Sequence, residues 1–464
     1  MEQRLHFDPD LLRRYDVSGP RYTSYPTAPQ FHEGFDDQAY ARAARDSNEA
    51  AEPKPLSVYM HVPFCKNVCY YCGCNKIVTA KYQRAEEYLD HVFREIALQG
   101  ELFADTRRVE QLHLGGGTPN YLRDEDIARL VQTLRDHFQL EEGDRREFSI
   151  ELDPRDFQLE TVAHLAELGF NRMSVGVQDL DPVVQAAVNR EQSPELCRAI
   201  IEEGRRYGFR STNIDLIYGL PKQTAESFDR TLDEIVDIRP ERLAIYNYAH
   251  LPHLFKIQRQ IRESDLPGPD EKLALFGRTI EKLTEAGYVF IGMDHFALPE
   301  DGLAKAQKQG TLHRNFQGYS TRADCDLIAL GSTSIGKIGP TYSQNLREPE
   351  AYQERIANGR LAVFRGMELS QEDQLRREVI IELMCHSQLR FAEIESRYGI
   401  DFQSHFATEI ERLEPLVDDG LVDINDERIQ VLPRGRLLLR HVGMAFDAYL
   451  ERDAAETRRY SKVL

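Results

Sequence analysis

Four of the seven cysteines lie within ten positions of one another: Cys65, Cys69, Cys72 and Cys74. Three thiolates at the spacing C-x3-C-x2-C on one loop can bind three irons of a [4Fe–4S] cluster. The fourth iron then lacks a protein thiolate and can bind a small molecule. In a reducing compartment such a cysteine group indicates metal or catalysis rather than disulfide crosslinks.

Two other sites are compatible with the same cysteines: a zinc site that uses all four, and an electron-transfer cluster with four thiolates. Structural zinc usually uses pairs of C-x2-C units that lie far apart, and the chain has no second pair. Cys74 is only two residues from Cys72, so that joint ligation of one tetrahedral ion is cramped. The spacing therefore favours a three-cysteine cluster and leaves the role of Cys74 open.

The elements that must position this loop are short β-rich runs that alternate with helical ones. Between two runs, the apolar residues at 127, 130, 131, 134 and 138 form one face of a helix. Repeated β–α units predict parallel strands with helical crossovers, and their uninterrupted sequence favours an α/β barrel or partial (β/α) barrel. The strand candidates are Leu56–Val62, Val109–Leu114, Glu147–Leu152, Arg172–Gln178, Ser211–Tyr218, Arg242–Tyr248 and Tyr288–Met293.

Polar or glycine-rich groups recur where these strands end. After the cysteine loop they are Gly115–Pro119, Glu151–Pro154, Gln178–Asp179, Asp215 and Asn247–His250. In parallel α/β folds the carboxyl ends of the strands form the active face. We therefore expect these groups to meet at one side of the sheet.

Three domains are predicted: an N-terminal arm (1–55), the partial barrel (56–365) and a mainly helical C-terminal domain (366–464). The arm ends in a proline-rich linker at Pro53–Pro55. Helices near 375–383, 406–417 and 437–449, with a hairpin at 421–431, make the last domain similar to a winged helix. We expect it to act in packing rather than in DNA binding, because the chain is acidic.

The composition restricts the classes of partner. The chain has 464 residues, 41% of them hydrophobic, and 58 Lys+Arg against 77 Asp+Glu give a formal charge of −19. This balance argues against a general nucleic-acid binder or a polybasic membrane binder. No apolar run approaches the roughly 20 residues of a membrane span, and the start does not resemble a signal peptide. A cytoplasmic monomer without a membrane span is expected.

The motif C-x3-C-x-aromatic-C, with Tyr71 as the aromatic residue, resembles the radical S-adenosylmethionine (SAM) superfamily. Further motifs narrow the resemblance to the oxygen-independent coproporphyrinogen III oxidases, nearly end to end. They are Pro20–Thr27 (PRYTSYPT), Gly115–Pro119 (GGGTP), Gly176–Asp179 (GVQD), Asn189–Gln192 (NREQ), Asn213–Pro221 (NIDLIYGLP) and Gly292–Phe296 (GMDHF).

The resemblance implies a [4Fe–4S] cluster on Cys65, Cys69 and Cys72 and two SAM molecules. The first would lie against Tyr59, Tyr71, Gly116, Glu151 and Ile335. The second would contact Gly117, Thr118, Gln178, Arg190, Asp215 and Ala249. Many superfamily members carry a glutamate directly after the glycines, near the methionine amine; this chain does not, and the resemblance implies that Glu151 takes that role.

The implied reaction converts two propionates of coproporphyrinogen III to vinyl groups and gives protoporphyrinogen IX. A 5′-deoxyadenosyl radical would take a hydrogen from each propionate, and an unidentified low-potential donor would supply the electron. A substrate with four carboxylates and a broad apolar ring system needs cations and aromatic walls. The candidate contacts are Arg21, Tyr22, Tyr25, Arg314 and Phe316.

Three histidines are weaker candidates for a metal or general-base role: His250, His253 and His295. A haem-binding chaperone of the same superfamily, without decarboxylase activity, is the main alternative to the enzyme. The arm motif Pro20–Thr27 and Cys74 argue against it. A plain iron–sulfur electron carrier is disfavoured by the length of the chain and by the polar groups at the strand ends.

Overall fold

The computed structural model describes residues 5–322 and 325–450. Residues 1–4 of the predicted arm, residues 323–324 of the predicted barrel and residues 451–464 of the predicted C-terminal domain lie outside the described part of the chain.

The strands alternate with helices through the first two thirds of the chain. In chain order they are β1 (Leu56–Val62), β2 (Phe64–Cys65), β3 (Ile77–Val78), β4 (Arg108–Gly116), β5 (Gln139–Leu140), β6 (Glu147–Leu152), β7 (Arg172–Gln178), β8 (Ser211–Tyr218), β9 (Arg242–Asn247), β10 (Val289–Gly292), β11 (His295–Ala297), β12 (His313–Asn315), β13 (Gly318–Ser320), β14 (Asp326–Leu330), β15 (Ile335–Ile338), β16 (Thr341–Asn345), β17 (Val363–Glu368), β18 (Gln388–Arg390), β19 (Val422–Ile424) and β20 (Arg428–Val431).

The helices cover the outer face of the sheet and form most of the C-terminal region. They are α1 (Pro9–Arg14), α2 (Asp37–Asn48), α3 (Gln83–Gly100), α4 (Asp124–His137), α5 (Glu160–Leu168), α6 (Pro182–Ala187), α7 (Pro194–Arg206), α8 (Ala225–Ile238), α9 (Pro269–Glu285), α10 (Gly302–Gln309), α11 (Pro349–Ala357), α12 (Gln371–His386), α13 (Phe391–Tyr398), α14 (Phe402–His405), α15 (Ala407–Asp418) and α16 (Leu439–Ala445).

Seven parallel strands form the centre of the main sheet, in the order β14-β1-β4-β6-β7-β8-β9. Antiparallel strands β11 and β10 extend one side, and β15, β16 and β17 extend the other. Because the strand path among the described residues runs from β10 to β17 without closing, the barrel is partial. The predicted α/β partial barrel is thus confirmed.

The sheet is nearly buried, as expected for parallel strands with helices packed outside. Six of the seven residues of β1 are buried, and only Tyr59 is partly exposed. The helix predicted from the apolar spacing at 127–138 is α4, and Ile127, Leu130, Val131 and Leu134 are all buried. Helix α8 begins at a capping box in which Thr224 and Ser227 exchange hydrogen bonds.

One strand differs from the sequence-based expectation. The predicted seventh barrel strand, Tyr288–Met293, forms β10, which pairs antiparallel with β11 at the sheet edge. The seventh parallel strand is β14, which pairs with β1. All five β14 residues are buried, but the segment is short and a hairpin rather than a helix follows it. The β–α rhythm therefore gives no signal for it.

The N-terminal segment packs into the body of the protein. Tyr22 and Tyr25 are each 1% exposed, and the Tyr22 hydroxyl donates to Asp447 at 3.0 Å. Tyr15 donates to Asp419 at 2.6 Å. The segment is therefore a buried strap between the sheet and the C-terminal helices. The expectation that Tyr22 and Tyr25 offer aromatic faces to a substrate does not agree with this burial, and both act in packing.

The C-terminal region contains helices α12–α16 and a small sheet of order β18-β20-β19. The predicted hairpin forms β19 and β20, with β18 as a third strand that the sequence did not indicate. The predicted last helix is shorter than expected, since residues Pro433–Leu438 form a 3-10 turn before α16. Among the described residues, no helix combines the length and apolar character that a bilayer crossing requires.

Candidate active site at the carboxyl ends of the strands

The cysteine loop follows β1 and is closed at its base. Its first residues form β2, which pairs in parallel with β3, so that Cys65 lies opposite Val78. The Thr79 amide then donates to the Cys65 carbonyl at 3.0 Å. The two ends of the loop are therefore hydrogen-bonded to each other, and this pairing fixes the place from which the cysteine side chains extend.

The loops after other strands hold the middle of the cysteine loop. Gln258 donates to the Tyr71 carbonyl at 2.8 Å, and Asn189 donates to the Val68 carbonyl at 2.7 Å. The Tyr70 amide donates to the Val188 carbonyl at 3.0 Å. Because these partners follow β7 and β9, the loop lies across the carboxyl ends of the sheet.

The glycine run at the end of β4 brings two backbones close together. The Gly117 amide donates to the Val62 carbonyl at 2.8 Å. A Cβ atom at Gly117 would lie 2.9 Å from the Phe64 oxygen and 3.0 Å from the Val62 oxygen. Only glycine allows this approach, so Gly117 fixes the start of the cysteine loop against β4.

Gly117→Ala is therefore expected to displace the cysteine loop. Overpacking of this kind costs about 1–3 kcal/mol in the free energy of unfolding, and we expect less iron to be bound after anaerobic preparation. Chemical denaturation and iron analysis measure the two effects. Gly268→Ala is the matched control, since the nearest atom to its Cβ would be Glu271 Oε2 at 3.7 Å, an ordinary contact distance. Equal amounts of bound iron in the two variants would contradict the role of Gly117.

Each of the three predicted ligand sulfurs has a hydrogen-bond donor. Thr118 Oγ1 lies 3.4 Å from Cys65 Sγ, and the Cys74 amide lies 3.4 Å from Cys72 Sγ. Cys69 Sγ has two guanidinium donors, Arg155 at 3.3 Å and Arg190 at 3.4 Å. Donors and positive charge are what thiolate ligands require for stability.

The donor set fits an iron–sulfur cluster. All described cysteines are free thiols, and a hydrogen bond from Cys74, with the Lys76 ammonium nearby, lowers the pKa of Cys72 to about 5. Among the described residues, no three His, Cys, Asp or Glu side chains are grouped as the ligands of one metal ion. Three thiolates on one loop, each with a hydrogen-bond donor beside it, are a ligand set that suits a [4Fe–4S] cluster with one open iron.

Glu151, at the end of β6, is oriented by its neighbours. Its carboxylate accepts hydrogen bonds from His113 at 3.1 Å and from the Gly116 amide at 3.1 Å. Burial raises its pKa, but the hydrogen bond and charge of His113 outweigh this and lower the pKa below its ordinary value. The side chain is 41% exposed, so an ionised, accessible carboxylate stands beside the glycine run.

Polar side chains continue along the inner face of the partial barrel. The Tyr59 ring stacks on His113 at 5.7 Å, and its hydroxyl lies 3.2 Å from His61 Nδ1. Asp215, in β8, accepts hydrogen bonds from Ser174 at 2.9 Å and from Asn213 at 2.8 Å. Burial, with the nearby charge of Glu151, raises the pKa of Asp215 to about 6.

Other predicted SAM contacts lie at the rim of this face. Arg190 is buried; it donates to the Gly176 carbonyl and pairs with Asp153 at 3.0 Å. Gln178 ends β7 at a register shift, with a positive φ of 70°. Burial raises the pKa of Tyr71 well above its ordinary value, and its hydroxyl lies beside the Cys69 thiol.

Two further members of the predicted set lie farther along the sheet. Ala249 is two residues beyond the end of β9. Ile335 is the first residue of β15 and packs with the apolar cluster of Phe31, Tyr342 and Leu369, which also includes Phe316. The predicted SAM contacts are therefore distributed from β1 to β9, with Ile335 on β15, two strands from β1 in the order β1-β14-β15.

Two arginines meet at the inner end of the barrel. Arg21 forms an ion pair with Asp294 and lies over the Tyr246 ring at 5.8 Å. Arg314 is 2% exposed, lies over the Tyr319 ring at 4.7 Å and donates through Nε to the Arg21 carbonyl at 3.3 Å. Burial, with the like charge of Arg314, lowers the pKa of Arg21.

Buried donors near these arginines have no hydrogen-bond partner among the described residues. They are one terminal nitrogen of Arg314, Nδ1 of His295 and Nε2 of Gln317. His295 and Gln317 line a cavity of about 160 Å³ that also reaches Glu151 and Asp215. The His295 ring lies 5.4 Å from Tyr319 and 6.2 Å from Tyr246. These two tyrosines line the cavity and are also the rings over which Arg314 and Arg21 lie.

His113 and Gln317 were not predicted from the sequence as site residues, and His295 was only a weak candidate. A signal was present, because polar residues at alternate positions of otherwise apolar strands must face the inside of the barrel. Tyr59, His113, Ser174 and Asp215 follow this rule. Among the described residues, His250 and His253 belong to no group of three or more metal-ligating side chains, and the Tyr248 hydroxyl lies 2.9 Å from His250 Nδ1.

Comparisons with known proteins agree with this geometry. The family model described as the Radical SAM superfamily matches residues 59–235, and the model described as the HemN C-terminal domain matches residues 369–438. A relative from Pseudomonas aeruginosa, named oxygen-independent coproporphyrinogen III oxidase, is 49% identical over the full length of both chains. A protein of the same name from Escherichia coli is 48% identical over 100% of this chain and 99% of its own.

Among solved structures, coproporphyrinogen III oxidase (HemN) from Escherichia coli superposes with a TM-score of 0.91. It is 47% identical in sequence and covers 97% of this chain and 100% of its own. That protein is described as a radical SAM enzyme. The similarity thus extends over the barrel, the N-terminal strap and the C-terminal region together.

Proposed function

The chain belongs to the oxygen-independent coproporphyrinogen III oxidases of the radical SAM superfamily, and from this premise we propose which residues bind its cofactors and substrate. The enzyme decarboxylates two propionate side chains of coproporphyrinogen III to vinyl groups and gives protoporphyrinogen IX. It uses a [4Fe–4S] cluster and SAM. The comparisons support this activity and not a haem chaperone.

Cys65, Cys69 and Cys72 would hold the cluster. When bound, the cluster and SAM supply radical chemistry, the removal of a hydrogen atom from a propionate side chain. The chain contributes donors to the sulfurs from Thr118, Arg155 and Arg190 and closes the loop over the strand ends. Hydrogen bonds and positive charge at the sulfurs are among the factors that set a cluster's reduction potential.

The first SAM would lie against Tyr59, Tyr71, Gly116, Glu151 and Ile335. Glu151 would pair with the methionine ammonium, since its carboxylate is ionised, accessible and oriented by His113. The second SAM would contact Gly117, Thr118, Gln178, Arg190, Asp215 and Ala249. Asp215 would bond ribose hydroxyls from the inner face of β8.

Two SAM molecules per chain are expected in equilibrium dialysis of the anaerobic, cluster-loaded enzyme. Loss of one charge-assisted hydrogen bond costs about 1.5–3 kcal/mol, or roughly 10- to 150-fold in affinity. Glu151→Gln should weaken mainly the first site and Asp215→Ala mainly the second, because the two carboxylates are coupled by charge. A single SAM bound to the wild type at saturation would contradict the two-molecule proposal.

The substrate carboxylates would be held by Arg21 and Arg314, with His295 and Gln317 beside them. The observation that carries this step is the buried terminal nitrogen of Arg314 without a partner among the described residues. Burying a cation without a counter-ion costs free energy, and a propionate carboxylate of the substrate would supply the missing hydrogen-bond and charge partner of Arg314. Tyr246 and Tyr319 would supply flat walls for the ring system, the role once expected of Tyr22 and Tyr25.

We further propose a three-part chain that acts as a monomer, with segment 1–55 and region 366–464 closing the barrel of residues 56–365. The contacts that support this closure are Tyr22 with Asp447 and Tyr15 with Asp419. Sedimentation of the cluster-loaded enzyme tests the oligomeric state, and a dimer at micromolar concentration would contradict it.

The activity is tested by anaerobic reconstitution with iron and sulfide, followed by product analysis with SAM, dithionite and coproporphyrinogen III. Mono- and divinyl products are expected, with methionine and 5′-deoxyadenosine. Tight haem uptake without decarboxylation would instead identify a chaperone.

A further inference from the structure

A second, smaller cavity lies against the hairpin of β12 and β13. Its volume is about 20 Å³, which is room for about one water molecule or for the oxygens of one carboxylate. Thr23 of the N-terminal strap, Leu327 of β14, Tyr342 of β16 and Ile381 of α12 line it. Segments that are far apart in the sequence therefore meet here, and one of them belongs to the C-terminal region.

Cations dominate the walls of this cavity, which we call the cationic cavity. Arg314, Arg322, Lys337 and Arg377 line it, and no described aspartate or glutamate does. Burial, with the positive charges of Arg377 and Lys337, lowers the pKa of His313 to about 3, so this lining imidazole is neutral at pH 7. The walls are thus suited to an anion.

Two of the four cations, Arg314 and Arg377, have no ion pair with a described residue. One terminal nitrogen of Arg314 and Nε of Arg377 are buried and have no hydrogen-bond partner among the described residues. Arg314 is 2% exposed, and the Arg377 guanidinium lies over the Tyr342 ring at 5.9 Å. An anion in the cavity would supply a counter-charge to both arginines.

The carboxylates on the segments that form the cavity are bound by other arginines. Glu147 pairs with Arg322 at 3.8 Å, and Glu378 of α12 forms an ion pair with Arg397. Asp326 of β14 holds a further buried arginine at 2.6 Å. Among the described residues, positive charge is therefore left on the two guanidinium groups that have no ion pair.

Gln111 links the cationic cavity with the larger cavity inside the barrel. Its side chain lines both and is held by the Ser57 hydroxyl, which donates to it at 2.9 Å. Glu151 and Asp215, in contrast, line only the larger cavity. A carboxylate in the cationic cavity would therefore lie away from the residues that we assign to SAM.

The charge balance of the reaction indicates which carboxylate suits this place. Two propionates of the substrate lose their carboxylates as neutral CO2, and the other two keep theirs in the product. Cations that held a reacting carboxylate would be left buried without a counter-ion after each decarboxylation, at a cost in free energy. A carboxylate that the substrate keeps would balance them before and after both steps.

We propose that Arg314 and Arg377 bind a carboxylate that the substrate keeps, and that this contact decides which end of the tetrapyrrole faces the cofactors. The inference rests on the proposed function and extends it. It places Arg377 of the C-terminal region in the substrate site together with Arg314 of the barrel.

The test is anaerobic steady-state kinetics of the cluster-loaded, full-length enzyme, with protoporphyrinogen IX added as a product inhibitor. The product retains the two unreacted carboxylates. Arg377→Gln should therefore raise KM for coproporphyrinogen III and the inhibition constant of protoporphyrinogen IX by the same factor, roughly 10- to 150-fold. Bound iron and SAM should be unchanged, and Arg377→Lys, which keeps the charge, should recover most of the loss.

Arg390→Gln is the matched control, because Arg390 is an exposed arginine of the same C-terminal region; both constants should keep their wild-type values. An unchanged KM in Arg377→Gln would overturn the proposal. So would a raised KM with an unchanged inhibition constant, since the bound carboxylate would then be a reacting one.

Chemical denaturation separates binding from folding. A loss of stability in Arg377→Gln, with an unchanged inhibition constant in Arg377→Lys and in the folded fraction of Arg377→Gln, would make this arginine a packing group and overturn the proposal. A wild type that gives no vinyl product would instead count against the proposed function.

Discussion

Cys69→Ser is expected to remove the bound iron and all decarboxylation. Changes to residues that only support metal ligands cost about 10- to 100-fold, so loss of a ligand should exceed that. The local structure makes Cys69 the most sensitive of the three sulfurs. Arg155 and Arg190 both donate to it, and without a thiolate these two guanidinium groups would repel each other across the Asp153 carboxylate that both contact.

The measurement is iron content with electron paramagnetic resonance of the dithionite-reduced, anaerobically purified protein. Cys74→Ser is the informative comparison, because Cys74 is exposed and contacts Cys72 through its amide. A three-thiolate cluster predicts that this variant keeps its iron. Cys197→Ala, at a buried position of α7, is the control for general loss of stability. Iron lost equally from the Cys69 and Cys74 variants would indicate four protein ligands.

The cluster site could be predicted from the sequence because its ligands lie on one short loop. The spacing of Cys65, Cys69 and Cys72 is local information, and the strand before them, Leu56–Val62, is observed with the predicted bounds. The meeting of the strand ends could also be predicted, since parallel strands with helical crossovers bring their carboxyl ends to one edge of the sheet. Glu151 lies at that edge, next to the last residue of β6, whereas Asp215 lies three residues before the end of β8, on the inner face of the barrel.

The substrate end could not be predicted in the same way, because it depends on contacts between distant segments. Arg314 donates to the backbone of Arg21, 293 positions away in the chain, and nothing local indicates this pairing. The motif that contains Arg21 also contains Tyr22 and Tyr25, whose chemistry suits a porphyrin ring equally well. Both tyrosines are instead buried in the protein, where Tyr22 contacts the C-terminal region, so they do not form walls for the ring. Arg21 thus faces the inside of the barrel, whereas the next residue, Tyr22, faces the C-terminal helices.

The strap also explains why deletion of the N-terminal segment would be a poor test of substrate binding. Removing it would expose apolar core around Tyr22 and Tyr25, each 1% exposed, and burial of a side chain of this size contributes about 1.5–3 kcal/mol. Loss of activity would then report unfolding. Arg21 is little better as a target, because its loss would leave the half-buried Asp294 without its ion pair.

Arg314→Gln avoids these difficulties and is expected to lower kcat/KM for coproporphyrinogen III by roughly 30- to 1,000-fold, or about 2–4 kcal/mol. The variant removes the guanidinium whose one buried terminal nitrogen has no partner among the described residues and which we assign to a substrate carboxylate. Iron content and the binding of SAM should remain unchanged, since Arg314 contacts neither the cysteine loop nor Glu151. Steady-state kinetics with a series of substrate concentrations measures the effect, which should lie mainly in KM.

Stability distinguishes this role from a structural one. Arg314 stands beside Arg21, and its like charge lowers the pKa of that group, so removing it relieves a repulsion in the protein without substrate. The free energy of unfolding should therefore change little. Arg436→Gln is the control: this half-buried arginine donates to the Phe290 carbonyl at 2.9 Å and lies over the Phe290 ring, so stability should fall while KM stays constant. If Arg314→Gln behaved like Arg436→Gln, the guanidinium would be a packing group and the carboxylate would bind elsewhere.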